Sequence, residues 1–234
     1  MSAVLTGSRG QRWWCRAFTL LALLLPGVAH AQGTRPTTPR VDVSIGAGVL
    51  TGHAFGERDA NIRANATTLT DFRVFSTTTA VPSTPIVDLR VAAAVTPRVA
   101  VEVQGVFGRT NLEVDVTNDV ESAPDVTVSS AVRELAVSGG IRVRLDDPRA
   151  GRRVSPHLAA GGGVVQSMLD GVRMDPRGMF YVGGGVRYGL GRPVAGVRRQ
   201  GIRGDVQVRQ ARGSIVSDGP VTQLWVSGGY YIAF

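Results

Sequence analysis

From residue 41 to the carboxyl terminus the chain alternates, position by position, between apolar residues and polar or small ones. Successive side chains on a strand point to opposite faces, so this rhythm predicts strands with one greasy and one mild face. Eight runs pass the test. Residues 41–49 set Val41, Val43, Ile45, Ala47 and Val49 against Asp42, Ser44, Gly46 and Gly48. Residues 86–95 set Val87, Leu89, Val91, Ala93 and Val95 against Asp88, Arg90, Ala92 and Ala94. After the turn Thr96-Pro97-Arg98, residues 99–107 set Val99, Val101, Val103, Gly105 and Phe107 against Glu102 and Gln104, which completes a hairpin. In 134–145, Leu135, Val137, Gly139, Ile141, Val143 and Leu145 oppose Glu134, Ser138, Gly140, Arg142 and Arg144. The glycine-rich run 154–165 opposes Leu158, Ala160, Gly162 and Val164 to His157, Ala159, Gly161 and Gly163. Residues 179–190 place Phe180, Val182, Val186, Tyr188 and Leu190 opposite Tyr181, Gly183, Gly185 and Arg187. Residues 201–209 place Ile202, Gly204, Val206 and Val208 opposite Arg203, Asp205, Gln207 and Arg209. The last run, 222–234, places Leu224, Val226, Gly228, Tyr230, Ile232 and Phe234 opposite Gln223, Ser227, Gly229 and Ala233.

No window carries the three-and-four spacing of an amphipathic helix, so the expected fold is all-β. A soluble sandwich also alternates, but its solvent face is normally charged. Here every charge within the strand cores falls on one parity and the other parity is apolar. Lipid penalises an Arg at the bilayer midplane by about 2–4 kcal/mol, whereas a barrel lumen tolerates it. The expectation is therefore an eight-stranded antiparallel transmembrane up-and-down β-barrel over 41–234, with both termini on one side. Short turns belong to the periplasmic side of such barrels and long loops to the extracellular side. The stretches 50–85 and 109–133 are then the long external loops, and Tyr188, Tyr230 and Phe234 fall near the periplasmic rim.

The amino terminus fits an exported protein. Arg9, Arg12 and Arg16 precede an apolar run and then Ala29-His30-Ala31, so residues 1–31 read as a signal peptide cleaved after Ala31 and 32–40 as a flexible lead-in. Cleavage removes Cys15, the one cysteine, and with it any disulfide or thiolate metal site. Three of the 26 basic residues lie in the leader, which leaves 23 against 18 acids, a net +5. All are Arg and they are scattered, which argues against a nucleic-acid partner.

Asp88, Arg90, Glu102, Glu134, Arg142, Arg144, Arg187, Arg203, Asp205 and Arg209 occupy the inward parity. An eight-stranded barrel is just wide enough for side chains to fill it, so these predict a cross-lumen charge network. A structural plug is the plain outcome and a narrow gated channel the sharper one.

Three stretches give the chain a family likeness: Pro156-His157-Leu158-Ala159-Ala160-Gly161-Gly162-Gly163, Gly183-Gly184-Gly185-Val186-Arg187-Tyr188, and the terminal pattern of Ser227, Gly229, Ile232 and Phe234. In these the chain resembles the small outer-membrane barrels of the OmpA-like and opacity-protein-like kind, over essentially all of 41–234, although His157 stands where that family usually has Tyr. The resemblance implies that Ser227, Gly229, Ile232 and Phe234 form the signal read by the outer-membrane assembly machinery. It also implies an outer-membrane location, with lipid and lipopolysaccharide as neighbours and an external partner through 50–85 and 109–133. The sequence ends at the barrel, so the peptidoglycan-binding domain of full-length OmpA-type proteins is not carried over.

Other motifs carry less. Arg203-Gly204-Asp205 spells an integrin tripeptide, but on a strand both charged residues face inward. The glycine triplets open no helix and are not phosphate loops. Asn65-Ala66-Thr67 is a sequon without meaning in bacterial export. A lipid A-modifying enzyme would need a His with Ser and an acid; His53, near Glu57, Asp59 and Ser76, and His157, beside Ser155, show no such arrangement in sequence. No catalytic, cofactor or metal residue is assigned.

Overall fold

The computed structural model describes residues 41–63, 71–119, 121, 123–147, 152–191, 197–213 and 219–234. The expected signal peptide and lead-in (1–40) and the Asn65 sequon lie outside the described residues. In chain order the strands are β1 (Val41–Leu50), β2 (His53–Arg63), β3 (Asp71–Val81), β4 (Thr84–Ala94), β5 (Val99–Thr117) and β6 (Val126–Arg144). They continue with β7 (Val154–Leu169), β8 (Val172–Arg173), β9 (Arg177–Gly189), β10 (Arg199–Ala211) and β11 (Val221–Ala233).

Eight of these close a ring. β1 pairs with β4, followed by β5, β6, β7, β9, β10 and β11, and β11 returns to β1, every neighbour antiparallel. One ladder line runs Val41, Ala93, Val101, Ile141, Ala160, Val182, Val208, Leu224. It meets β1 again beside Thr51, whose N–H donates to Leu224 O at 2.8 Å, so the register advances ten residues around the barrel. A stagger of that size tilts the strands by roughly 40°.

The alternation dictates what each face meets. Outward side chains are apolar and exposed, with Ile45 at 59% and Ile141 at 54%, while Arg142, one position on, is only 3% exposed inside. On β9, Tyr188 and Phe180 face outward eight residues apart. At strand rise that is roughly 26 Å along the chain and roughly 20 Å of height at this tilt. An outer-membrane apolar band is about 25 Å tall. Tyr188 and Tyr230 lie on one ladder line through Ile202, at the end where β1 begins and β11 stops. Glycine is required where the interior is crowded. A Cβ on Gly185 would sit 2.9 Å from His157 Cε1 and 2.8 Å from Asp205 Oδ1, and one on Gly161 would sit 2.8 Å from Tyr181 Cε1.

The two stretches expected as long loops are largely strand. β2 and β3 form a hairpin within 50–85, and β3 zips through Ser76–Ala80 onto the outer part of β5. Most of 109–133 continues β5 and β6 upward as one ladder to Val116 opposite Val126. The period of two persists there (Leu112-Glu113-Val114-Asp115-Val116, then Val126-Thr127-Val128-Ser129). Beyond the apolar band neither face has to be wholly apolar, so β-branched residues alone sustain the strand.

Candidate functional site

The barrel interior is built from inward positions of all eight ring strands, and its middle holds eight charges in contact. Asp42 comes from β1, Asp88 and Arg90 from β4, Glu102 from β5, Arg142 from β6, Arg187 from β9, and Arg203 and Asp205 from β10. Glu102, 1% exposed, is the hub. Its Oε2 accepts from Arg142 Nη1 at 2.7 Å and Arg203 Nη1 at 2.7 Å, and its Oε1 accepts from Arg203 Nη2 at 3.1 Å. Arg142 also reaches Asp42 at 2.5 Å, and Arg187 meets the same carboxylate at 3.1 Å. Arg203 Nε donates to Asp205 at 2.6 Å; Arg90 bridges Asp88 at 2.5 Å and Asp205 at 3.1 Å.

Uncharged partners complete the cluster. Arg90 Nη2 donates to Ser227 Oγ at 3.0 Å, and Arg90 Cζ stands 5.3 Å from the centre of the Trp225 ring. The Gln104 amide oxygen, turned toward Arg90, accepts from its Nε at 2.8 Å. Arg187 lies 3.8 Å over the Tyr231 ring, and His157 Nε2 is 3.0 Å from Asp205 Oδ1. Four acids face four arginines, so with a neutral imidazole the layer sums to zero. That balance is what burial of the layer demands, because a buried unpaired charge costs several kcal/mol.

Smaller clusters stand above and below. Toward the hairpins, Arg209 Nη2 meets Glu134 Oε1 at 2.5 Å and Gln223 Oε1 at 2.8 Å. A cavity above them is edged by His53, Phe55, Glu134, Arg177, Arg209 and Gln223. Toward the termini, Arg144 Nη2 meets Asp146 Oδ2 at 2.8 Å and Ser155 Oγ donates to Asp146 Oδ1 at 2.7 Å. Burial pulls the Asp146 carboxyl up, but the hydrogen bonds from Arg144 and Ser155 outweigh it and hold the group below the ordinary aspartate range. A second cavity opens there between Asp42, Arg142, Arg144, Arg187 and Arg199.

All ten charged residues singled out from sequence point into the interior, Glu134 and Arg144 less deeply than the rest. Sequence reasoning had placed Asp42 and His157 on inward faces without assigning them to the network. It did not single out Gln104 or Asp146, and it passed over Trp225 and Tyr231, the two large aromatics on the inner face of β11. Inward parity was the signal available for the strand residues. Ser227, Gly229 and Ile232 of the terminal pattern lie on β11, beside the seam with β1, and Phe234 follows its last residue; Ser227 faces inward and Phe234 outward.

The tempting motifs resolve simply. Arg203 and Asp205 of the tripeptide are buried in the network. His53 stacks edge-on against Phe55 at 4.9 Å, opposite Val81, whereas Ser76 donates to Asp59 at 2.7 Å further along the hairpin.

No protein-family model matches the sequence, and no curated protein matches it. Solved structures do align. The outer membrane protein OprG from Pseudomonas aeruginosa is 13% identical with a TM-score of 0.53, covering 84% of this chain and 96% of that one. Neisserial surface protein A is 12% identical with a TM-score of 0.49, over 83% and 97%. At such identity the likeness to OprG is one of fold: the chain folds as a small outer-membrane β-barrel does.

Proposed function

We propose that this chain is a non-enzymatic integral protein of the outer membrane. Its eight ring strands cross the bilayer, its lumen is shut by the ion-pair layer, and its β2–β3 and β5–β6 hairpins stand outside the cell for contact with external partners. The observation that carries the reading is the outward face, which among the described residues has no charge between the level of Tyr188 and that of Phe180, while the inward face holds the eight-charge layer. Such a surface is costly in water and at home in lipid. Ser227, Gly229, Ile232 and Phe234 then serve the assembly machinery, and residues 1–31 are the signal peptide that directs export and is cleaved.

The outer leaflet supplies the nearest partner. Arg109 and Arg133 face outward, directly opposite each other on β5 and β6, two residues beyond the Phe107 and Leu135 of the apolar band. Like charges so placed are destabilising by about 0.2–1 kcal/mol unless an anion lies between them. Neither has an ion-pair partner among the described residues. Lipopolysaccharide phosphates are suited to that gap.

Membrane fractionation with heat-modifiability on a gel tests the assignment: extraction should require detergent, and the unboiled protein should migrate faster than the boiled one. Release by salt, or identical migration, ends it. Planar-bilayer recording tests the alternative of a narrow channel, which requires the Glu102 hub to part; the closed lumen is expected to be silent.

A further inference from the structure

Beyond the barrel rim the strands form an extracellular sheet in the order β2-β3-β5-β6, and this sheet, unlike the ring, has two edges without a strand partner among the described residues. The β2 edge is guarded. Register shifts at Ala54/Glu57 and Ala60/Asn61 break its line, and Glu57, Arg58 and Asp59 crowd it with charge. Bulges and charges are the usual means of preventing strand addition. The β6 edge has neither. It reads Val126-Thr127-Val128-Ser129-Ser130-Ala131, without charge, proline or bulge, and pairs in unbroken register with β5.

The direction of its free groups follows from its lower end. Ala131 N–H donates to Asp170 Oδ1 at 2.9 Å and Ala131 O accepts from Asp170 N at 2.9 Å, so Ala131 turns its backbone away from β5. Alternation along an antiparallel pair then turns Ser129 and Thr127 the same way. Asp170 occupies the first rung, and the next two are open among the described residues. The surroundings say what fits them. Val126 and Val128 are 54% and 52% exposed on one face. The other face carries Glu113 and Asp115, directly across from Ser129 and Thr127. Between Thr110 and Val132 there are five acids (Glu113, Asp115, Asp119, Glu121, Asp125) and no base.

We propose that the outer half of β6 accepts an added strand from an extracellular polypeptide whose basic and apolar residues alternate. Its backbone takes the rungs at Thr127 and Ser129, its apolar side chains cover Val126 and Val128, and its basic ones reach the Glu113–Asp115 face. A second copy of this chain is a poor occupant, since it brings the same five acids. Backbone pairing for affinity, with alternate side chains for selectivity, is the general mode of strand addition. The proposal rests on the outward orientation of the hairpins argued above.

The test uses the full folded protein in detergent micelles and a short fluorescent peptide alternating lysine and valine. Saturable binding is expected, with slowed hydrogen exchange at the Thr127 and Ser129 amides. The same peptide N-methylated at alternate residues, which keeps its charge but loses donors, should bind at least about tenfold more weakly, the loss of one or two ladder bonds. Ser129→Pro removes an open-edge donor without touching a rung to β5, and should weaken binding similarly while leaving heat-modifiability intact; if that variant misfolds, the N-methyl comparison in the wild type still decides. Equal binding of both peptides, protection at β2 instead, or dimerisation lost in Ser129→Pro would each overturn the proposal. A protein that remains heat-modifiable yet ignores the peptide sinks only the β6 site; one that loses heat-modifiability sinks the membrane reading as well.

Discussion

At the scale of single residues, the interior is a charge balance with little slack. Glu102 answers Arg142 and Arg203 at once. Glu102→Gln keeps the shape and leaves those guanidiniums short of one carboxylate, so it is expected to cost about 3–5 kcal/mol, read as a lower urea midpoint in vesicles. Adding Arg203→Met should recover part of that loss, because it removes a stranded charge. Gly185→Ala drives a methyl against His157 and Asp205 and should cost about 1–3 kcal/mol in the same assay. Parity made most of this layer legible: once the apolar positions are known, Arg90, Arg142 and Arg203 must point inward. It could not say which acid meets which base, since those partners are up to 145 residues apart, as Arg187 and Asp42 are. Nor does it expose Trp225 and Tyr231, two aromatics on the inward parity of β11 that pack against arginines.

At the scale of elements, β6 shows both rules in adjacent positions. Arg142 is accommodated because its neighbours are carboxylates, whereas Ile141→Arg would place the same group on the outward face and should cost about 2–4 kcal/mol, seen as failure to insert into liposomes at low urea. At the terminus-side end of β6, Asp146 pins the turn to Arg144 and Ser155. Its carboxyl is held below the ordinary value, so the stabilisation is whole above about pH 4 and fades as pH falls toward the folded value. Thermal unfolding of wild type and Asp146→Asn should therefore differ at neutral pH and converge in acid. The ring strands were legible as elements because lipid and lumen impose opposite chemistries on alternate positions. The outer parts of β2, β3, β5 and β6 were not, because water outside the apolar band imposes neither; Thr77, Thr78 and Thr79 read as loop composition although they pair as strand.

At the scale of the whole molecule, the barrel is defined by closure, and the number of ring strands could be read from the sequence while the ten-residue stagger could not, since it lies in long-range register alone. That closure joins the first and last ring strands: Phe234 N–H donates to Val41 O at 2.9 Å, and β1 lies against β11 along its length. A nascent polypeptide must therefore keep its first membrane segment unmated until its last one arrives. It also means that shape and chain order are separable. Splicing Phe234 back to Val41 through a short linker and cutting open the tight Thr96–Arg98 corner would preserve every ladder, yet it would move the proposed assembly signal, Ser227 to Phe234, into mid-sequence. Such a circular permutant should refold from urea into micelles like its parent, while living cells would fail to deliver it to the surface.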